Sequence, residues 1–193
     1  MRPAVFLDRD GTLIEKRSYL DRLDQLALFP WAADAVRLLN RGGFVTVVVT
    51  NQSGIARGLV DEAFVGEAHA ALDVKLAAGG ARIDGYYFCP HLPDATVERY
   101  RQQCRCRKPG PGMIERACHE LDLDPQRSVM VGDRWLDVAC GNAAGTKTIL
   151  VRTGDGAHEA AHVPEGVRAD AILDNLMEAA GWILRTCSDS STR

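Results

Sequence analysis

No apolar run in this chain of 193 residues is long enough to span a membrane or to form a secretory leader; the one nearest the start, residues 4–7, is a single short stretch. A cytoplasmic location is therefore expected. A surplus of one charge is missing too. The chain carries 23 basic and 26 acidic residues, for a net charge of -3, and its aromatics, 6% of the sequence, are not interleaved with basic residues. Neither nucleic acid nor a membrane surface is expected as a partner, so any attraction for anions has to be local. Internal repeats, low-complexity tracts and linkers are also lacking. One domain over residues 1–187 is expected, as a monomer, with a polar tail at 188–193 expected to be disordered. No Gly-x-Gly-x-x-Gly follows a candidate strand, and Gly145-Thr146-Lys147-Thr148 lacks P-loop spacing, which sets aside a nucleotide-binding reading.

What is present is a 46% apolar chain in which apolar runs alternate with helix-period segments. Residues 4–7, 44–49, 83–88, 128–131, 147–151 and 171–173 read as strands. The second is rich in β-branched residues without polar alternation, as a parallel strand covered on both faces requires. Helices are expected at 30–40 (Trp31, Ala35, Leu38 and Leu39 inward), 61–78 (Val65, Ala68, Leu72 and Leu76 inward), 113–121, 135–144 and 176–184 (Met177, Ala180 and Leu184 in phase). The alternation predicts an α/β fold: a Rossmann-like open parallel sheet with helices on both faces. Ligands of such sheets sit at the carboxyl ends of the strands.

Four strand ends carry chemistry. The first strand runs into Asp8-Arg9-Asp10-Gly11-Thr12, two carboxylates of which one can attack phosphorus and the other handle a leaving-group proton. The second runs into Thr50-Asn51-Gln52-Ser53-Gly54, a hydroxyl and backbone amides suited to phosphoryl oxygens. Arg107-Lys108-Pro109 precedes the third helix and offers a cation for a transferring phosphoryl group. The fourth strand ends in Gly132-Asp133-Arg134-Trp135-Leu136-Asp137, with two acids one helical turn apart and oxygen ligands for Mg²⁺. Singly, each is an ordinary turn, loop, basic pair or helix cap. In one order at successive strand ends, they are not.

Cys89-Pro90-His91 and Cys104-Arg105-Cys106 flank a loop. Three thiolates and an imidazole suit a closed tetrahedral Zn²⁺ site of structural type, and the spacing is not that of a redox Cys-x-x-Cys. Arg107 and Lys108 follow Cys106 directly, so closing the loop on zinc would carry both cations to the active site. Cys118, Cys140 and Cys187 lie outside this pattern, the first two on helix faces as core. His69, His119, His158 and His162 are expected at the surface.

The order Asp-x-Asp-Gly-Thr, Thr-Asn, Lys-Pro, Gly-Asp-x-x-x-Asp resembles the haloacid dehalogenase superfamily of phosphatases, over residues 5–151. The resemblance implies Asp8 as a nucleophile forming an aspartyl-phosphate and Asp10 as general acid, then base. It implies Mg²⁺ ligation by Asp8, Asp10 (through its backbone carbonyl) and Asp133, with Asp137 supporting from behind. Thr50, Arg107 and Lys108 would stabilise the phosphoryl group. No stretch is long enough for a large cap, so the flap at 13–29 and the zinc loop must shape the pocket. More narrowly, residues 6–12, 47–58 and 106–109 look like the D-glycero-D-manno-heptose-1,7-bisphosphate 7-phosphatase family, which supplies heptose precursors for cell-surface polysaccharide. Histidinol-phosphate phosphatases have a similar zinc loop; the segment Gly54-Ile55-Ala56-Arg57-Gly58 favours the heptose branch. Carried over, the substrate pocket takes Asp8, Arg9, Asp10, Lys16, Arg17, Ser18, Tyr19, Thr50, Asn51, Gln52, Ser53, Arg107, Lys108 and Arg134, the last standing where the family often has Lys. A physical hint agrees: a bisphosphate brings a second dianion, and Arg107 and Arg134 are spare cations for it. Mg²⁺ and Zn²⁺ are the expected cofactors and a small phosphorylated sugar the expected partner.

Overall fold

The computed structural model describes residues 1–187; the tail 188–193, expected to be disordered, lies outside the described residues. Strands β1 (Ala4–Leu7), β2 (Val45–Asn51), β3 (Gly85–Cys89), β4 (Val129–Gly132), β5 (Lys147–Val151) and β6 (Ala171–Leu173) form one parallel sheet in the order β3-β2-β1-β4-β5-β6. The chain builds outward from β1 to β3 and then returns to β4 beside β1. Connections thus leave the β1–β4 pair in opposite directions, which opens a crevice at their carboxyl ends. Asp8 follows β1 and Asp133 follows β4, so the topology itself brings them together.

Seven helices occur among the described residues: α1 (Ala32–Arg41), α2 (Ser53–Ala56), α3 (Glu62–Ala78), α4 (Gly112–Leu121), α5 (Trp135–Ala144), α6 (Gly156–Ala161) and α7 (Leu176–Cys187). Alternate strand side chains point to opposite faces. Val5, Leu7, Val48, Val131 and Val151 meet Ala35, Leu39, Leu72 and Ile183 of α1, α3 and α7. Ala4, Phe6, Val47, Val49 and Met130 meet Met113, Ile114 and Ala117 of α4, with Cys140 of α5 in the same core. Both faces are covered, which is why β1, β2 and β4 read as unbroken apolar runs. A smaller cluster of Ile55, Ala56, Val65, Leu92, Ala95 and Tyr100 packs α2 and α3 beneath the cysteine loop. No helix among the described residues is long and apolar enough to cross a membrane.

Several local expectations change. The third strand starts at Gly85, not Ile83, because the Asp84 carboxylate accepts from Thr46 N (2.9 Å) where a strand carbonyl would otherwise stand. Asp170 does the same for Thr148 N (2.7 Å) ahead of β6. Leu38 is exposed; Ala32, Ala35, Val36 and Leu39 form the inner stripe of α1, rotated from the expected one by the docking of α7. In α7 the buried residues are Leu176, Ala179, Ala180 and Ile183, and Met177 and Leu184 flank them half-buried. His69 is not a surface residue. It lies on the inner stripe of α3 with Val65, Leu72 and Leu76, and its ring stacks on Tyr86 at 4.4 Å. Burial, with the Arg9 cation adding to it, pushes its pKa down to about 4, so the ring is neutral. His119, His158 and His162 are exposed, as expected. The helices α2 and α6 were not foreseen.

Candidate active site

At the carboxyl tips of β1 and β4 three carboxylates share one buried space. Asp8, Asp133 and Asp137 each place an oxygen within 4.8 Å of the others. Each has its own anchor. Asp8 N donates to Val131 O across the β1–β4 pair (2.9 Å). Asp133 is fully buried and its Oδ2 accepts from Asp155 N (2.8 Å). Asp137 Oδ2 accepts from Arg134 N (3.1 Å), which caps α5 as well as fixing the acid. Two glycines make room: Gly11 and Gly154, both at positive φ, back onto Asp133, and a Cβ on either would collide with its carboxylate.

One cation answers this charge from below. Lys108 Nζ lies 2.7 Å from Asp8 Oδ1 and 2.6 Å from Asp137 Oδ1, and donates to Val49 O (2.9 Å). Burial opposes the ammonium charge, but Asp137 and Asp8 outweigh it and hold the lysine protonated. Asn51 pins its backbone: Oδ1 accepts from Lys108 N (3.0 Å) and Nδ2 donates to Lys108 O (3.1 Å). Even so the cluster is short of positive charge. Burial, against the pull of Lys108 and with the push of Asp137 and Asp10, raises Asp8 to about 6. Burial, then Asp8 and Asp137, raises Asp133 to about 8. Asp133 Oδ1 is buried and has no partner among the described residues. A buried, unpartnered oxygen on one of three clustered carboxylates suits a hard divalent cation with oxygen ligands.

Asp10 belongs to a different network. The Arg9 guanidinium, 2% exposed, donates to both Asp10 oxygens (3.1 Å each) and to Gln52 Oε1 (3.0 Å). Gln52 Nε2 lies within hydrogen-bond range of Asp10 Oδ2 (3.0 Å) and of Thr50 Oγ1 (2.8 Å). Arg9 therefore holds the Asp10 carboxyl in place rather than reaching into the solvent.

Above these groups lies an open cleft of about 270 Å³, and all fourteen residues expected to line the substrate pocket do line it. Lys16, Arg17, Ser18 and Tyr19 come from the flap after β1; Thr50, Asn51, Gln52 and Ser53 from the end of β2; Arg107 and Lys108 from the cysteine loop; Arg134 from the end of β4. Arg107 Nη1 donates to His91 O (3.1 Å), which ties the pocket to that loop. The segment after β5 was missed. Thr153 Oγ1 donates to Gly11 O (2.6 Å), and Asp155 pairs with Lys16. Extending the strand-end rule to a fifth strand would have exposed it, because Arg152-Thr153-Gly154-Asp155 directly follows β5.

Cys89, His91, Cys104 and Cys106 converge beside the cleft. Their facing atoms are separated by 3.1 to 3.7 Å in the pairs Cys104–Cys106, Cys89–Cys106, His91–Cys106, Cys89–Cys104 and Cys89–His91. The edges of a tetrahedron built with metal bonds of about 2.0–2.3 Å run roughly 3.3–3.8 Å, so the four fit a tetrahedral metal site.

A family model described as HAD-hyrolase-like matches residues 105–179. The D-glycero-beta-D-manno-heptose-1,7-bisphosphate 7-phosphatase of Escherichia coli (strain K12) is 41% identical over 189 residues, covering 97% of this chain and 91% of that one. The protein of that name from Photorhabdus laumondii is 46% identical over 154 residues, 79% of this chain and 81% of its own. Among solved structures, D,D-heptose 1.7-bisphosphate phosphatase from B. bronchiseptica, complexed with magnesium and phosphate, superposes with a TM-score of 0.83 at 32% identity, covering 95% of this chain and 98% of that one.

Lys108→Met should leave three buried carboxylates without their counter-charge. Removing one member of a buried ion pair costs about 3–5 kcal/mol. Urea unfolding should show a loss of that order, whereas Glu115→Gln, which breaks the exposed Arg105 pair, should cost under about 1 kcal/mol.

Proposed function

Because this chain belongs to the heptose-1,7-bisphosphate 7-phosphatase family of haloacid-dehalogenase-like hydrolases, we propose that it removes the 7-phosphate of D-glycero-D-manno-heptose 1,7-bisphosphate through an aspartyl-phosphate on Asp8. The observation that carries this reading is the pairing of a buried nucleophile site with a basic cleft: Lys16, Arg17, Arg107 and Arg134 line the opening over Asp8.

Asp8 attacks phosphorus with its carboxylate, and the ester P–O bond breaks as the new bond forms. Asp10, held by Arg9 and Gln52, gives its proton to the departing sugar oxygen. Left as a carboxylate, Asp10 then takes a proton from water, which attacks the phosphorus and frees Asp8 and inorganic phosphate. Lys108 and Thr50 bind the phosphoryl oxygens during both transfers, and Lys108 also lowers the repulsion between Asp8 and a dianion. Asp8, Asp133 and the Asp10 carbonyl would hold Mg²⁺, with Asp137 bracing Lys108 behind them. When bound, that ion supplies charge that neutralises the transferring group. Arg107 and Arg134 take the phosphate that is not transferred.

Cys89, His91, Cys104 and Cys106 would hold Zn²⁺, and four protein ligands suit a bracing role rather than a catalytic one. Their convergence joins the strand end at Cys89 to the backbone just ahead of Arg107 and Lys108. A cytoplasmic setting suits these ligands, because a reducing compartment keeps the thiolates free.

A histidinol phosphate carries an ammonium and an imidazole, for which the cleft mouth offers four cations and the lining no carboxylate beyond Asp8, Asp10 and Asp137. The kcat/KM for the heptose bisphosphate should therefore exceed that for histidinol phosphate clearly; the reverse order would refute the substrate. Asp10→Asn should slow formation of the aspartyl-phosphate from the sugar phosphate by about 10²–10⁴ in single-turnover kinetics. That step should slow much less on p-nitrophenyl phosphate, whose leaving group departs without a proton, while breakdown of the intermediate should slow alike on both. Equal slowing of the first step on both would remove Asp10 from the acid role.

A further inference from the structure

The rim after β5 is built as firmly as the catalytic floor, yet the chemistry above makes no use of its side chains. Asp155 N donates to Asp133 Oδ2 (2.8 Å), and Thr153 Oγ1 donates to Gly11 O (2.6 Å). Gly154 lies between Gly11 and Asp133 with no room for a side chain. The loop is thereby fixed to both carboxylate-bearing strand ends.

From that fixed position the Asp155 carboxylate reaches two cations of the cleft. It pairs with Lys16 of the flap, and its Oδ2 stands 3.7 Å from Arg134 Nε. Glu159, one turn further along α6, stands 3.6 Å from the same Nε and is itself held by Trp135 N (2.9 Å). Two acids thus face two cations across the cleft mouth. Lys16 and Asp155 are about one-third exposed, so the pair is modest in strength and open to exchange.

We propose that Asp155 tunes the grip on the substrate's second phosphate: it is a built-in counter-ion that holds Lys16 to the rim beside Arg134 and yields both cations to that phosphate. The inference rests on the bisphosphate reading above. A single-phosphate ester occupies the floor over Asp8 and brings nothing to displace the carboxylate, so Lys16 stays on the rim. A bisphosphate replaces one carboxylate charge with a dianion and frees the flap to close over the sugar. The same competition acts after the reaction. The product keeps its second phosphate, and the returning carboxylate weakens the grip on it.

The test is steady-state kinetics of wild type, Asp155→Asn, Lys16→Met and the double variant on the heptose 1,7-bisphosphate and on p-nitrophenyl phosphate, with inhibition by heptose 1-phosphate. Asp155→Ser serves as a second variant; both replacements keep the main-chain N–H that Asp133 needs, and thermal melts check folding. Loss of the carboxylate should raise the ratio of KM for p-nitrophenyl phosphate to KM for the bisphosphate about threefold and tighten heptose 1-phosphate inhibition by about the same factor. Both effects should shrink when Lys16 is already Met. An unchanged ratio, weaker inhibition, or effects that simply add in the double variant would overturn the counter-ion role alone. A wild type with no preference for the bisphosphate would overturn the substrate reading and the inference with it.

Discussion

Three carboxylates buried around a single ammonium are an electrostatic arrangement that a fold must actively hold together. Asp8, Asp133 and Asp137 carry more negative charge than Lys108 can match, and burial strengthens every repulsion among them. Much of the surrounding structure can be read as what makes that placement possible. The β1–β4 pair sets Asp8 beside Asp133, the first turn of α5 delivers Asp137, and Gly11 and Gly154 let two backbones close on Asp133. Such a cluster is costly in itself and useful only where a cation and a phosphoryl group complete it.

Lys108 is the member with the longest reach. It comes from a loop, the least rigid kind of element, and yet must stand within 3 Å of two acids. Three devices offset that weakness. Asn51 clamps its backbone in both directions from the end of β2. Arg107 ties back to His91. The cysteine–histidine cluster, two residues upstream, draws the loop onto the end of β3. A metal held there would bear on catalysis through geometry and not through chemistry of its own.

Much of this was legible in the sequence because chemistry and topology coincide. Parallel strands buried on both faces leave unbroken apolar runs, and polar clusters that interrupt them mark strand tips, so Asp8, Thr50 and Asp133 could be placed without coordinates. The cysteine spacing carried the second site. What escaped was set by tertiary packing. Hydrophobic periodicity gives the shape of a helix stripe but not its rotation, and α1 turned Val36 inward and Leu38 outward. His69 was assigned by polarity although its spacing with Val65, Leu72 and Leu76 already placed it inward. Arg9 looks like a substrate cation in sequence, and only the structure shows its guanidinium committed to Asp10 and Gln52. Asp155 lies outside the recognisable motifs, in a loop whose importance comes from what it touches.

The central claim is that the buried carboxylates form one unit completed by a divalent cation. Calorimetric titration of Mg²⁺ into wild type and Asp133→Asn, beside melts of both in chelator, tests it most directly. The account predicts one ion per wild-type chain, none for the variant, and a metal-free variant that melts at or above metal-free wild type, because a source of buried repulsion is gone. A variant that binds Mg²⁺ as well as wild type, or that melts well below it without metal, would contradict the account.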